Sequence, residues 1–346
     1  KVFGVEKPKD ATTPTERAKG SWEALQQAVG LPGAPCFFRE NAKTMKPATV
    51  WPVGQALAGA LDLAQLTGNY KDVDAIMGSL ALYEKNGAYA PFVTGGNRLW
   101  DDNAWIGLDF MQAYNQTGNQ DYVKAAEAMF PFMLEGLHQD GGLYWEEHNP
   151  RMTRNTCGNG PAIQYALRLY MATKDTQYLD FAKNLDGFMN EKLRSPEGLY
   201  WDNLADTGEL SKDVYSYNQG TPIGADVLWY RVTGDIQYLE RATKTAQATL
   251  DHFAKNDGLW KQAPCFNAIL FRNLLALDQV APDPRYRATM DAYLERAWTQ
   301  ARDPETGLFT KGGIGAYAGH DALDQGGMTQ MYALQAWPKD KLLDVA

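Results

Sequence analysis

The chain has 346 residues, 45% of them hydrophobic and 22% charged, an ordinary globular balance with ample length for a large core. A net charge of −9 and a pI near 5.1, with no run of Lys or Arg, argue against a nucleic-acid or polyanion partner. No apolar stretch reaches the ~18–20 residues of a membrane helix, so no membrane span is expected.

The spacing of apolar residues predicts a helix over 12–29 and a second over 49–66. From there helices alternate over 70–86, 101–117, 119–137, 158–173, 175–193, 219–233, 235–256, 264–278, 283–302 and 320–336. Turn signals punctuate them at a regular interval. "TGNY" ends at Tyr70, "TGNQDY" at Tyr122, "TKDTQY" at Tyr178, "TGDIQY" at Tyr238 and "APDPRY" at Tyr286. Gly stops one helix and Asp or Asn caps the next, so each landmark reads as a short connection between antiparallel helices.

The two helices of each pair differ in character. Residues 104–114, "AWIGLDFMQAY", are apolar nearly all round, as in a helix buried on every face. Residues 121–137 carry one apolar stripe (Tyr122, Ala125, Ala126, Met129, Met133), with Lys124 and Glu127 on another face. That pattern marks an outer helix, and Pro131 inside it is expected to kink or restart it. Six inner and six outer helices result. The first outer helix lacks an inner partner before it and the last inner helix lacks one after it, so pairing the two closes a ring. The predicted fold is all-α: a single (α/α)6 toroid of six helical hairpins over 1–346. An open α-solenoid, the rival, normally shows polar-faced capping repeats at its ends, and none is evident in the sequence.

A second repeat, "DGGLYW" (140–145), "PEGLYW" (196–201), "NDGLW" (256–260) and "ETGLF" (305–309), follows four outer helices. Loops of about 15 to 25 residues then lead to the next inner helix, a length that is commonly functional. Short β-ribbons are expected there from the Leu-Tyr-Trp runs. The inner helices of such a ring run parallel, so their N-termini open at one end with unsatisfied N–H groups and partial positive charge. The segments arriving there include "FFREN", "LWDDN", "RNTCGNGP", "YSYNQGTP", "QAPCFN" and "HDALDQGG". They are rich in Asn, Gln, Asp and aromatics, which suit sugar hydroxyls and ring faces.

The candidate catalysts are Asp101 and Asp102. Retaining glycosidases need two carboxyls ~5–5.5 Å apart, one to attack the anomeric carbon and one to protonate the leaving oxygen. Consecutive residues at a helix start can span such a gap, and two carboxylates so close raise the pKa of one. The bland alternative is that the pair merely caps a helix, since Asp is common at the N-cap and the first helical position. Trp100, Asn103 and Trp105 around the pair go beyond what a cap requires. Asp109, on the same helix face, reads as a satisfied buried polar group. Four scattered His and the cysteines Cys36, Cys157 and Cys265 match no metal spacing, so no metal or cofactor is expected. The cysteines could form one disulfide and one thiol, or three buried thiols.

"LWDDNAWIGLDFMQAY", "GLYWEE", "NTCGNGPAI" and "YSYNQGTPIGA", in that order along the chain, resemble glycoside hydrolase family 76, the bacterial endo-α-1,6-mannanases. The resemblance implies an (α/α)6 fold and hydrolysis of α-1,6-mannan backbones with retention. It implies Asp101 as nucleophile and Asp102 as general acid/base, an order that spacing alone leaves open. It also implies sugar-binding or buttressing roles for Tyr217, Asn218 and Gln219, and a sugar contact for Asp202. Asn103 and Asn155 are further substrate-binding candidates, with Trp145 and Trp201 as stacking platforms. The expected partner is α-mannan or a manno-oligosaccharide, bound by a monomer. The chain starts at Lys1, which reads as a mature or trimmed form of an exported protein. Two alternatives stand beside the hydrolase: a transglycosylase on mannose-containing wall glycans, as fungal relatives are thought to be, and a non-catalytic sugar-binding toroid. The compact length and the lack of a C-terminal hydrophobic tail favour the hydrolase, and the intact acid pair speaks against the non-catalytic form.

Overall fold

The computed structural model describes residues 13–345; residues 1–12 and 346, part of the expected domain and the first residue of its first helix, lie outside the described residues. Among the described residues, twelve long α-helices and one short turn of α-helix make up the frame. They are α1 (Pro14–Val29), α2 (Val50–Thr67), α3 (Lys71–Leu80), α4 (Trp100–Thr117), α5 (Gln120–Glu135), α6 (Thr156–Thr173) and α7 (Thr176–Phe188). There follow α8 (Tyr217–Thr233), α9 (Ile236–Ala254), the short α10 (Gly258–Lys261), α11 (Pro264–Asp278), α12 (Pro284–Arg296) and α13 (Asp321–Ala336).

The turn landmarks act as expected. α2, α4 and α8 end on Gly68, Gly118 and Gly234 in the left-handed region, which glycine enters without a Cβ penalty. Asn119, Asp175, Asp235 and Asp283 then accept a backbone N–H of the following helix. The two kinds of helix also differ as expected. Every residue of α6 from Thr156 to Leu169 is buried. On α9 burial is confined to one stripe, Leu239, Ala242, Thr245, Ala246, Thr249, Leu250 and Phe253. Burying each Leu or Phe of such faces contributes about 1.5–3 kcal/mol.

Packing closes the ring. α2, α4, α6, α8, α11 and α13 pack in that order, and α13 returns onto α2. α1 packs chiefly on α13, pairing the first outer helix with the last inner one. The fold is the (α/α)6 toroid.

Two expectations are corrected. Pro131 does not restart its helix: α5 runs unbroken from Gln120 to Glu135. Pro131 sits on the exposed face of that helix. The "NDGLW" segment is not a ribbon. Asn256 and Asp257 take φ of 55° and 57°, and the chain restarts as α10.

The other loops hold short antiparallel pieces. β1 (Gly30–Leu31) pairs with β2 (Ala34–Phe38), and β3 (Glu84–Lys85) with β4 (Ala88–Tyr89). A three-stranded sheet has the order β5 (Thr153–Asn155), β6 (Asn203–Ala205), β7 (Leu210–Ser211). The remaining "GLYW"-type runs form single bridges back to the end of the preceding outer helix, Leu137 with Leu143, Arg194 with Tyr200 and Arg302 with Phe309.

Candidate active site

At the N-terminal end of the inner helices lies a cleft of about 590 Å³. First-turn residues of five inner helices reach it: Trp51 of α2, Asp101 and Asp102 of α4, Cys157 of α6, Tyr217 of α8 and Phe266 of α11. Leu99, Trp145, Asn149, Arg151, Asp202 and Tyr215 of the loops, with Thr153 and Asn155 of β5 and Asn203 of β6, complete the wall.

The start of α4 is anchored from behind. Trp100 stacks on Phe132 at 5.1 Å and donates its indole N–H to the Phe132 carbonyl at 2.8 Å. A Cβ on Gly136 would meet that indole at 2.5 Å, so glycine is required there. The segment 145–147 lies alongside. Trp100 N–H donates to the Trp145 carbonyl at 2.9 Å, Leu99 bridges Glu146, and the Arg98 guanidinium donates two bonds to Glu147 at 3.0 and 3.1 Å. Backbone pairing thus carries Trp145 to the acid pair.

The helix begins after Leu99, which offers no side-chain cap; Asp101 and Asp102 are its second and third residues, not the cap. Asp101 Oδ1 accepts the Asp102 N–H at 2.7 Å, Oδ2 accepts the Trp145 indole N–H at 2.9 Å, and the Cys157 thiol donates to Oδ2 at 3.6 Å. Burial raises the Asp101 pKa to about 6, while these donors pull it back. Asp102 is 7% exposed and is pushed well above the carboxylate range, first by burial and then by the charges of Asp101 and Glu146. Near neutral pH the pair therefore holds one ionised carboxyl beside one protonated carboxyl.

The three-stranded sheet brings Asn155 and Asp202 to one wall. Asn155 pairs with Asn203 in register, and Thr156 N–H donates to the Asp202 carbonyl at 2.9 Å. The Asp202 carboxylate accepts Asn203 Nδ2 at 2.7 Å and Asn218 Nδ2 at 3.1 Å, and burial raises its pKa. An aromatic wall forms where Tyr217 stacks on Phe266 at 3.9 Å, with Trp51 tilted against the same ring.

Of the residues singled out from the sequence, Asp101, Asp102, Trp145, Asn155, Asp202 and Tyr217 meet in this cleft. Asn218 is fully buried behind Asp202. Trp201 stands outside the lining, with Lys212 over its ring. Asn103 and Gln219 are also fully buried and serve the loops. Asn103 bonds both the N–H and the carbonyl of Tyr89, at 2.8 and 3.0 Å, and Gln219 bonds both those of Tyr200, at 2.7 and 2.9 Å. The device recurs around the ring. Asn159 clamps both backbone groups of Leu143, Gln325 both those of Phe309, and Asn267 donates to the Leu259 carbonyl. Each amide locks a preceding loop, a "GLYW"-type run in every case but that of Asn103, onto the first turns of an inner helix and satisfies its backbone groups.

Trp51, Cys157, Tyr215 and Phe266 were not selected from the sequence as site residues. For two of them the signal is position: Trp51 and Cys157, like Asp101, are each the second residue of an inner helix. All three cysteines are buried free thiols. Asp109 is buried but not satisfied, because its Oδ2 has no hydrogen-bond partner; burial keeps its carboxyl well above the usual range.

Comparison with known proteins places this architecture. A mannan endo-1,6-alpha-mannosidase of Candida glabrata is 25% identical over 238 residues, covering 62% of this chain. The match spans about half, 52%, of that protein's own length. A family 76 mannosidase from Bacteroides thetaiotaomicron superposes with a TM-score of 0.82 at 23% identity, over 93% of this chain and 97% of that one. An α-1,6-mannanase from a Salegentibacter species does so with a TM-score of 0.78 at 22% identity, over 93% and 99%. At these identities the structural likeness shows the shared fold. Residues 33–343 match the sequence profile of Glycosyl hydrolase family 76, and the chain belongs to that family.

Proposed function

We propose that the chain is a retaining endo-α-1,6-mannanase, with Asp101 as nucleophile and Asp102 as general acid/base. The observation that carries this reading is the adjacent acid pair in the cleft, one carboxyl bearing three donors and the other held protonated by burial and like charge.

In the first step the Asp101 carboxylate attacks the anomeric carbon of a mannosyl unit. The bond to the O6 of the next sugar breaks, and Asp102 gives its proton to that leaving oxygen. In the second step Asp102, now ionised, takes a proton from water, whose oxygen displaces Asp101 from the anomeric carbon. Two inversions restore the α configuration. Asn155, Asp202 and Tyr217 bind sugar hydroxyls, and Trp145, with the Tyr217–Phe266 stack, offers ring faces. Asn103, Asn218 and Gln219 support this wall from behind, and Trp201 lies beyond the first layer. The substrate class follows from the family relatives. A variant of the Salegentibacter enzyme with two consecutive aspartates changed to asparagine is described as inactive and is solved with α-1,6-mannotriose. The protein acts as a monomer outside the cytoplasm, where mannan polymers are met.

The test is incubation with linear α-1,6-mannan and with α-1,6-linked oligosaccharides from the disaccharide to the tetrasaccharide, followed by proton NMR. Oligosaccharides of intermediate length, first seen as α anomers, are expected. No cleavage of any α-1,6-mannoside overturns the reading. First-formed β anomers overturn the double displacement, and products longer than the substrate assign the pair to transfer instead.

A further inference from the structure

Cys157 is a cleft residue that this mechanism does not use. It is the second residue of α6, 5% exposed, and its thiol donates to Asp101 Oδ2 at 3.6 Å, an ordinary length for sulfur. The start of α6 presses on the Asp101 side chain: a Cβ on the neighbouring Gly158 would stand 3.7 Å from Asp101 Cβ. Tyr217 lines the same cleft beside it.

The thiol is not itself a nucleophile. Burial and the charges of Asp101 and Asp202 raise its pKa well above the ordinary value, so it keeps its proton and remains a donor. A thiol also suits the place, because it is cheaper to bury than a hydroxyl and reaches further, while still offering one S–H.

Resting on the reading of Asp101 as nucleophile, we propose that Cys157 is a positioning residue that fixes the plane of the Asp101 carboxylate and favours its ionised form. With the thiol in place, Oδ2 carries two side-chain donors and Oδ1 one backbone donor, so rotation about the terminal torsion breaks at least one bond. Without it, Oδ2 keeps the Trp145 indole alone.

The test needs no substrate for its first arm. The full chain is labelled with ¹³C at the Asp carboxyl carbons, and the Asp101 signal is identified by its loss in Asp101→Asn. Its titration is then followed in the wild type, Cys157→Ala and Cys157→Ser. Loss of one weak donor to a charged group is expected to raise the Asp101 midpoint in Cys157→Ala by about half a pH unit. In Cys157→Ser, which retains a donor, the midpoint is expected between those of the alanine variant and the wild type. The second arm is the pH profile of kcat/KM on the α-1,6-linked tetrasaccharide, whose acid limb should move with the midpoint. An Asp101 midpoint that stays put or falls in Cys157→Ala, or a serine variant that matches alanine, overturns the proposal. A midpoint that moves as expected while the wild type cleaves no α-1,6-mannoside sinks the mannanase reading and leaves this one standing.

Discussion

Two sets of carboxylates, one in the core and one in the cleft, are treated in opposite ways. In the core, Asp62 of α2 is paired with Arg272 of α11, and Gln112 and Gln330 complete the cluster. Asp226 of α8 is likewise held by Arg241, which also reaches Asp186. In the cleft, Asp101, Asp102 and Asp202 form no ion pair with any Arg or Lys among the described residues; their partners are neutral donors or nothing. In the core a guanidinium opposes the effect of burial on each carboxylate, whereas in the cleft only neutral donors do so. The first set ties neighbouring helices together, and the second lines the cleft. Asp109 is intermediate: it lies in the core, unpaired, and escapes the cost of burial by staying protonated.

The contrast can be broken from either side. The largest effect is expected in the cleft: Asp101→Asn and Asp102→Asn should each lower kcat about 10⁴-fold, measured on α-1,6-mannan, with the fold intact by circular dichroism. In the wild type the acid limb of kcat/KM should fall near pH 6, where Asp101 becomes protonated. A variant that keeps near-normal turnover would mean that the pair is only part of the helix start.

In the core, Arg272→Met should lower unfolding free energy by about 3–5 kcal/mol in urea titration, because Asp62 is left buried without its cation. Adding Asp62→Leu should recover most of that loss. If the single and double variants are equally unstable, packing and not charge explains the cluster.

The smallest effect sharpens the difference. The folded-state pKa of Asp101, about 6, lies above its unfolded value near 3.8. The unfolded chain therefore loses this proton first as pH rises. The stability associated with the proton is fully present below about pH 3.8 and is lost as pH climbs through about 6. Asp101→Asn removes that loss, so it should be more stable than the wild type by about 1–3 kcal/mol at pH 7 and nearly equal to it at pH 4. Equal stability at both values would show that the cleft carboxyl is not strained by its burial.

Much of this was legible in the chain because it depends on local chemistry. The Gly and Asp landmarks mark helix ends through backbone conformation and capping, which a few neighbouring residues decide. The acid pair stood out because two carboxyls at the head of an apolar run demand a reason. Asn103 and Gln219 were ambiguous for the opposite cause. An amide in the first turn of a helix looks the same whether it meets a sugar or a loop backbone, and only the returning loop, more than a dozen residues earlier, tells which. Phe266 gave no local sign of its place, since it meets Tyr217 of a helix distant in sequence.

The sequence by itself therefore determined the helices, their alternation between buried and half-buried faces, the closure of the ring and the identity of the acid pair. These follow from periodicity, capping and the hydrophobic effect, which act along the chain. Tertiary structure alone decided which polar residues face the cleft, which are used up as loop clamps, and which carboxylates receive a cation. Those outcomes depend on desolvation and on partners brought together from separate hairpins, and burial in three dimensions has no local signature.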